Sequence, residues 1–259
     1  MNNVPKKARI LLYDIETTPN LAYVWGKYQQ DVIAYDSEWH ILCFAYKWLG
    51  ERRTHVVSLP DFPLYKKENT NDYEVVKKLK ELFDEADVII AHNGDKFDQK
   101  KVHARFMVHK LGPPIPYRQI DTLKVARKYA NFNSNKLDDL GRVLGLGEKL
   151  NTGGFSLWLG CMRGVKTAWE TMKRYNKQDV VLLEKIYLEL RPWITNHPAM
   201  NVMEGKMDAC PNCGGMNITK NGTYFNKVTT VQVWECQNCH HHPRSRIVDA
   251  VKEHVKFIS

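Results

Sequence analysis

The chain has 259 residues, 43% of them hydrophobic and 26% charged, which allows one substantial core plus a small appendage and excludes wholesale disorder. Mean hydropathy is −0.47, no window approaches the apolar run of about 18 residues that a membrane span requires, and Asp14 interrupts the N-terminal apolar stretch too early for a secretory leader. The expectation is a soluble cytoplasmic protein with no membrane partner, and a net charge of +9 makes nucleic acid the first acidic partner to test.

In chain order, periodicity predicts strands over residues 9–13, 41–48 and 55–59, then an amphipathic helix over 73–83. An apolar, β-branched strand follows at 87–91, and a helix at 98–110 stops at Gly112-Pro113-Pro114. A short strand leads into Asp121, and helices are expected over 122–129 and 137–144. Residues 151–164 mix glycines with aromatics and read as a loop or turn-rich element. A long helix spans 166–190, Pro192 marks its stop, and a change of texture places a domain boundary near Gly205. The remainder holds few aliphatics and a strand-like run at 228–234, so it needs a staple to fold.

Three acidic motifs carry chemistry. In LLYDIET, alternation along a strand puts Asp14 and Glu16 on one face, where two close carboxylates suit a hard divalent cation, although a lone DxE is also an ordinary solvated strand end. In AHNGDKFD, Asp98 stands at a helix start, as a metal ligand or an N-cap. In YNKQD, Tyr175 and Asp179 are four residues apart on one helix face, an arrangement also common on plain surfaces.

The order DxE, N-x-x-x-F-D, Y-x-x-x-D resembles the DEDD superfamily of 3′-5′ exonucleases with a ribonuclease H-like fold, the DnaQ-like group, in its Tyr-containing DEDDy subclass. Similarity covers residues 9–192, including the connecting segment DTLKVARKYANFNSNKLDDLGRVLGLG, and is nearest to the predicted polymerase-B-exonuclease-like proteins, many of them bacterial or phage-encoded. The resemblance implies an α/β fold, a ribonuclease H-like mixed β-sheet flanked by helices. It also implies a two-metal Mg²⁺ or Mn²⁺ site on Asp14, Glu16, Asp98 and Asp179, with Tyr175 orienting the attacking water and no covalent intermediate. The expected substrate is the 3′ end of single-stranded DNA, favoured over RNA; the alternatives are a 3′-5′ exoribonuclease and a nucleic-acid-binding zinc protein of the same fold without activity. Asn93 and Phe97 of the second motif join Phe155 and Trp158 as substrate-binding candidates, the last two as a stacking platform or as residues that dock their loop on the core. His92 reads as packing beside the site, and Lys96, Lys100, Lys101 and Arg105 as phosphate contacts or solvated helix charges.

Cysteines supply the second constellation. Cys210/Cys213 and Cys236/Cys239 are two C-x2-C pairs, and Gly214-Gly215 follows the first where a tight knuckle needs a flexible backbone. Four thiolates suit one structural Zn²⁺ in a C-terminal zinc ribbon, though a histidine from His240-His241-His242 could replace one of them. Cys43 and Cys161, in apolar surroundings, read as buried thiols. The expected organisation is an exonuclease domain over 1–205 and a zinc ribbon over 206–259 that binds nucleic acid, aided by Lys220, Lys227, Arg244 and Arg246, or docks a protein partner.

Overall fold

The computed structural model describes residues 7–28, 31–225 and 227–246. The end of the expected ribbon domain, 247–259, lies outside them. Two compact units form, one over Ala8–Leu190 and one from Arg191 onward.

The first unit begins with β1 (Ile10–Thr17), a small hairpin of β2 (Leu21–Tyr23) and β3 (Ala34–Ser37), then β4 (Ile41–Trp48) and β5 (His55–Ser58). Helix α1 (Tyr73–Glu85), β6 (Val88–Ala91), α2 (Asp98–Val108) and β7 (Arg118–Asp121) follow. The unit closes with α3 (Thr122–Tyr129), α4 (Leu137–Val143), α5 (Ser156–Met162) and α6 (Lys166–Leu190). Its sheet has the order β5-β4-β1-β6-β7, with β4 antiparallel to both neighbours and β1, β6 and β7 parallel.

Sequence explains the placement. All four residues of β6, VIIA, are buried, as a parallel strand covered on both faces requires. Val75, Val76, Leu79, Leu82 and Phe83 form one apolar stripe on α1 and pack over the sheet, where Phe83 meets Tyr13 edge to face with ring centroids 5.1 Å apart. Helix α6 buries Trp169, Met172, Leu183 and Ile186 against β1 and β4, with Asn176 and Asp179 inside the same stripe.

Three expectations change. Residues 151–164, read as a loop, contain α5: Leu157 and Cys161, four apart, are both buried, and the glycine taken as a loop signal, Gly160, serves close packing. A Cβ there would lie 2.7 Å from the Ala168 side chain of α6. The hairpin β2–β3 has no counterpart among the predicted elements, because its exposed aromatics are not buried by any periodic face. Finally, residues 191–205 pack with the cysteine unit, so the units part at Leu190 rather than at Gly205. Asn212 Nδ2 donates to the Arg191 carbonyl at 2.9 Å, and the Met200 N–H to the Pro211 carbonyl at 2.8 Å.

This second unit holds α7 (Met200–Met203) and a three-stranded antiparallel sheet of β8 (Ile218–Phe225), β9 (Thr230–Cys236) and β10 (Arg244–Arg246), in the order β10-β9-β8. No helix among the described residues is long and apolar enough to cross a membrane.

Candidate functional site

Asp14 and Glu16 lie on the central strand β1, opposite Ala45 and Cys43 of β4, and the long helix α6 crosses that strand. Ligand atoms of Asp14, Glu16 and Asp179 fall within 4.8 Å of one another. Asp98, the first residue of α2, is buried and accepts the Ile15 N–H at 3.3 Å, which sets its carboxylate beside the DxE. Of the two sequence readings of Asp98, the N-cap role falls to Phe97, with no side-chain cap bond.

Three further side chains position this cluster. Asn176, fully buried on α6, donates to Asp14 Oδ2 at 2.7 Å and to the Asp14 carbonyl at 3.2 Å. Trp158 stands beside the Glu16 carboxylate, partly offsetting its rise, and meets the Tyr175 ring edge-on, with centroids 6.1 Å apart. Lys149, from the loop between α4 and α5, places its ammonium 2.6 Å from Asp179 Oδ2 and 3.1 Å from the Tyr175 hydroxyl.

The electrostatics follow from crowding. Burial, then the charges of Asp98, Glu16 and Asp179, push the Asp14 carboxyl well above its usual range. Burial, then Asp179, raises Glu16 to about 8, and burial raises Asp98 to about 7 against the hydrogen bond from Ile15. Burial works against the Lys149 ammonium, but Asp179 and Asp14 outweigh it and hold the lysine charged. Burial and Asp179 raise the Tyr175 phenol.

Such a cluster fits a cation on its own evidence. Asp179 Oδ1 is buried without a hydrogen-bond partner among the described residues, which is costly unless another group satisfies it. Oxygen-only donors of this kind suit hard divalent ions.

Other candidates sort by contact. Asn93 sits in the turn after β6 with φ of 63°, and its N–H donates to Asp121 Oδ1 at 2.8 Å, the same oxygen that caps α3 through Leu123. Phe97 and Phe155 remain exposed, each at the start of its helix, and Lys101 Nζ lies 5.1 Å above the Phe97 ring. Trp158 is partly buried, with its ring edge-on to that of Tyr175. His92 bridges Thr122 Oγ1 and the Asn135 carbonyl, both at 2.9 Å, a packing role. Arg105 is neither a phosphate contact nor a solvated charge: it makes a two-pronged ion pair with the fully buried Asp72, at 2.5 and 2.8 Å.

In the second unit the four cysteine Sγ atoms also lie within 4.8 Å of one another. Cys210–Cys239 and Cys213–Cys236 are 3.8 and 3.6 Å apart, too far for disulfides and close to the edge of about 3.8 Å that a tetrahedron of 2.3 Å Zn–S bonds defines. Hydrogen bonds from Cys213 and Cys239 pull the Cys210 thiol down to about 3, and the same bonds push Cys239 up, so the ionised form falls on Cys210. Both knuckles turn through a left-handed residue, Gly214 with φ of 70° and His240 with φ of 58°. The Gly215 N–H donates to Cys213 Sγ at 3.4 Å. Of the histidines, His241 Nδ1 is engaged at 2.8 Å with the Pro192 carbonyl, and the four thiols are sufficient as ligands.

Sequence reading missed Lys149 and Asn176. For Asn176 a signal existed, since it interrupts the apolar stripe of α6 at the spacing of Met172 and Asp179. Lys149 lies in a glycine-flanked loop with no periodicity to single it out.

A five-stranded sheet with one reversed strand, bearing buried carboxylates where a central strand meets a long helix, defines a nuclease-like domain of the ribonuclease H type. A family model described as the RNase_H superfamily matches residues 11–191, and the chain belongs to that superfamily. No curated protein matches the chain.

Proposed function

We propose that this chain is a metal-dependent 3′-5′ exonuclease that hydrolyses phosphodiester bonds from the 3′ end of single-stranded DNA. One observation supports it above all: Asp14, Glu16 and Asp179 converge within 4.8 Å, with Tyr175 one turn before Asp179 on the same helix. Asp98 completes the set from α2.

When bound, a pair of Mg²⁺ or Mn²⁺ ions would activate water and stabilise the developing charge on the phosphate and the leaving 3′ oxygen. The residues of the chain do the rest. Asn176 fixes the Asp14 carboxylate, so it is held ready before substrate arrives, and Trp158 stands beside that of Glu16. Burial keeps the Tyr175 phenol protonated, able to donate to or orient the attacking water. Lys149 holds Asp179 and Tyr175 in register and offsets part of the carboxylate repulsion.

In this reading the four cysteines hold one structural Zn²⁺, available as free thiols in a reducing cytoplasm. Incubation of the purified chain with Mn²⁺ and matched DNA and RNA oligonucleotides tests the assignment. Release of mononucleotides from DNA, abolished by Asp14→Asn, is expected. Faster turnover of RNA would overturn the substrate, and release by the Asp14→Asn chain would overturn the site.

A further inference from the structure

The ribbon sheet divides its basic residues between two faces. Paired residues on neighbouring antiparallel strands point to the same side, so the register decides which ones share a face. Arg244 pairs with Val233, while Arg246 and Tyr224 both pair with Val231. These residues therefore lie on one side of the sheet. Lys220 pairs with Trp234 and lies on the other side, as does Ser245, which accepts the Trp234 indole N–H at 2.8 Å.

On the first face the Arg244 guanidinium lies 4.1 Å from the centre of the Tyr224 ring. Tyr224 is exposed, as are Arg244 and Arg246. A guanidinium lying on an aromatic ring leaves its outer plane and its N–H edge free, a surface that stacks on a base and donates to phosphate at once.

Charge is also sorted along the strands. Cys236 ends β9, and the acidic Glu235 stands next to it, opposite Thr219 and near His240. The arginines pair further along β9, toward the end that Phe225 and Thr230 close, and Lys227 stands in the turn between β8 and β9. On the face of Arg244 and Arg246 the acidic group thus sits at the cysteine end, and the two arginines lie further along β9 from it.

We propose that the β-sheet face formed by Tyr224, Arg244 and Arg246 binds single-stranded nucleic acid, with the two arginines on phosphates and the arginine–tyrosine stack against a base. Charge complementarity selects this occupant, since two exposed cations and an aromatic ring on one small sheet match a strand of phosphates and bases. The inference extends the nuclease reading, for it gives the chain a second grip on the same class of polymer, but it does not depend on which end is cut.

The test uses the full chain in an Asp14→Asn background, so that bound strands stay intact. Fluorescence anisotropy with a labelled oligothymidine of about 30 nucleotides should show about tenfold weaker binding for Arg244→Ala/Arg246→Ala, and a salt slope smaller by about 1.4, the loss of two phosphate contacts. Tyr224→Ala should weaken binding by several-fold without moving the slope. Arg244→Lys should keep the slope and lose part of the affinity, and Lys220→Ala, on the opposite face, should bind as the parent does. Metal analysis of each variant should still find about one zinc, showing that the ribbon is folded. Unchanged affinity and slope in the double variant overturn the proposal and leave the face to a protein. An equal loss in Lys220→Ala overturns it too, by reducing the effect to net charge. With Asp14 restored, release of nucleotides from a strand of about five residues should be the same in parent and double variant. Failure of that cleavage in the parent would count against the nuclease reading, not against this face.

Discussion

At the scale of single residues, the site is a set of carboxylates held closer than their charges favour. Glu16 and Asp98, raised to about 8 and about 7, each bind a proton in the folded chain that they release in the unfolded one near neutral pH. A raised carboxyl contributes stability at low pH that is lost as pH rises through its folded value. Without added divalent cation, the chain is therefore expected to melt at a lower temperature at pH 8 than at pH 5.5, and Mn²⁺ should stabilise it more at pH 8. A flat or rising melting profile over that range, measured by circular dichroism, would contradict the arrangement. Lys149 bears on the same balance. Its removal leaves Asp179 buried beside Asp14 without its cation, so Lys149→Ala is expected to cost about 1–3 kcal/mol in the metal-free chain, lowered from buried-pair values because the lysine is part-exposed. Denaturant unfolding with and without Mn²⁺ checks this, and the loss should shrink when the ion is present. For activity, Tyr175→Phe should retain more turnover than Asp179→Ala, because in the proposed reaction the phenol would orient water while the carboxylate would hold an ion; single-turnover rates decide the order.

Elements show how the chain brings these residues together, and how far the sequence reveals it. β1, β4 and β6 were readable because apolar, β-branched runs end at recognisable turns, and α1 and α6 because their buried stripes recur at helical spacing. Legibility failed where the pattern served packing rather than periodicity. Gly160 looks like a turn residue in sequence, yet it lies inside α5 to let that helix approach α6 at Ala168. Gly160→Val is expected to destabilise the first unit by about 1–3 kcal/mol through that overlap, read as a lower melting temperature with the sheet intact. Of the site, the five motif residues Asp14, Glu16, Asp98, Tyr175 and Asp179 could be read by type and order. Lys149 could not, since a loop lysine acquires meaning only when the fold folds it onto Asp179. Trp158 was visible as an aromatic, but Glu16, beside which it stands, lies more than a hundred residues away in sequence and only the fold brings the two together.

For the whole molecule, two units rest on different kinds of stabilisation. The first buries a contiguous core that includes Leu11, Phe44, Leu79, Ile89 and Phe106. In the second, the buried cluster consists of Cys210, Cys236 and Cys239 with Cys213 and Ile218 packed against it, so the thiols stand where a core would be. Cys213→Ser is expected to lose the bound zinc, about one per chain in the parent, and to unfold the ribbon while the first unit keeps its melting transition; metal analysis and calorimetry together read both. The composition showed that the tail needed a staple, but not that residues 191–205 belong with it, because hydrogen bonds such as that from Asn212 to Arg191 leave no trace in composition.

The central claim is that the carboxylates of β1, α2 and α6 cut single strands from the 3′ end. Single-stranded DNA carrying a 5′ label, incubated with the chain and Mn²⁺, should shorten one nucleotide at a time into a ladder, while the same strand with a 3′ label should release its label at once as a mononucleotide, and Asp14→Asn should do neither. Shortening from the 5′ end, internal cuts in place of a ladder, or unchanged degradation by Asp14→Asn would contradict it.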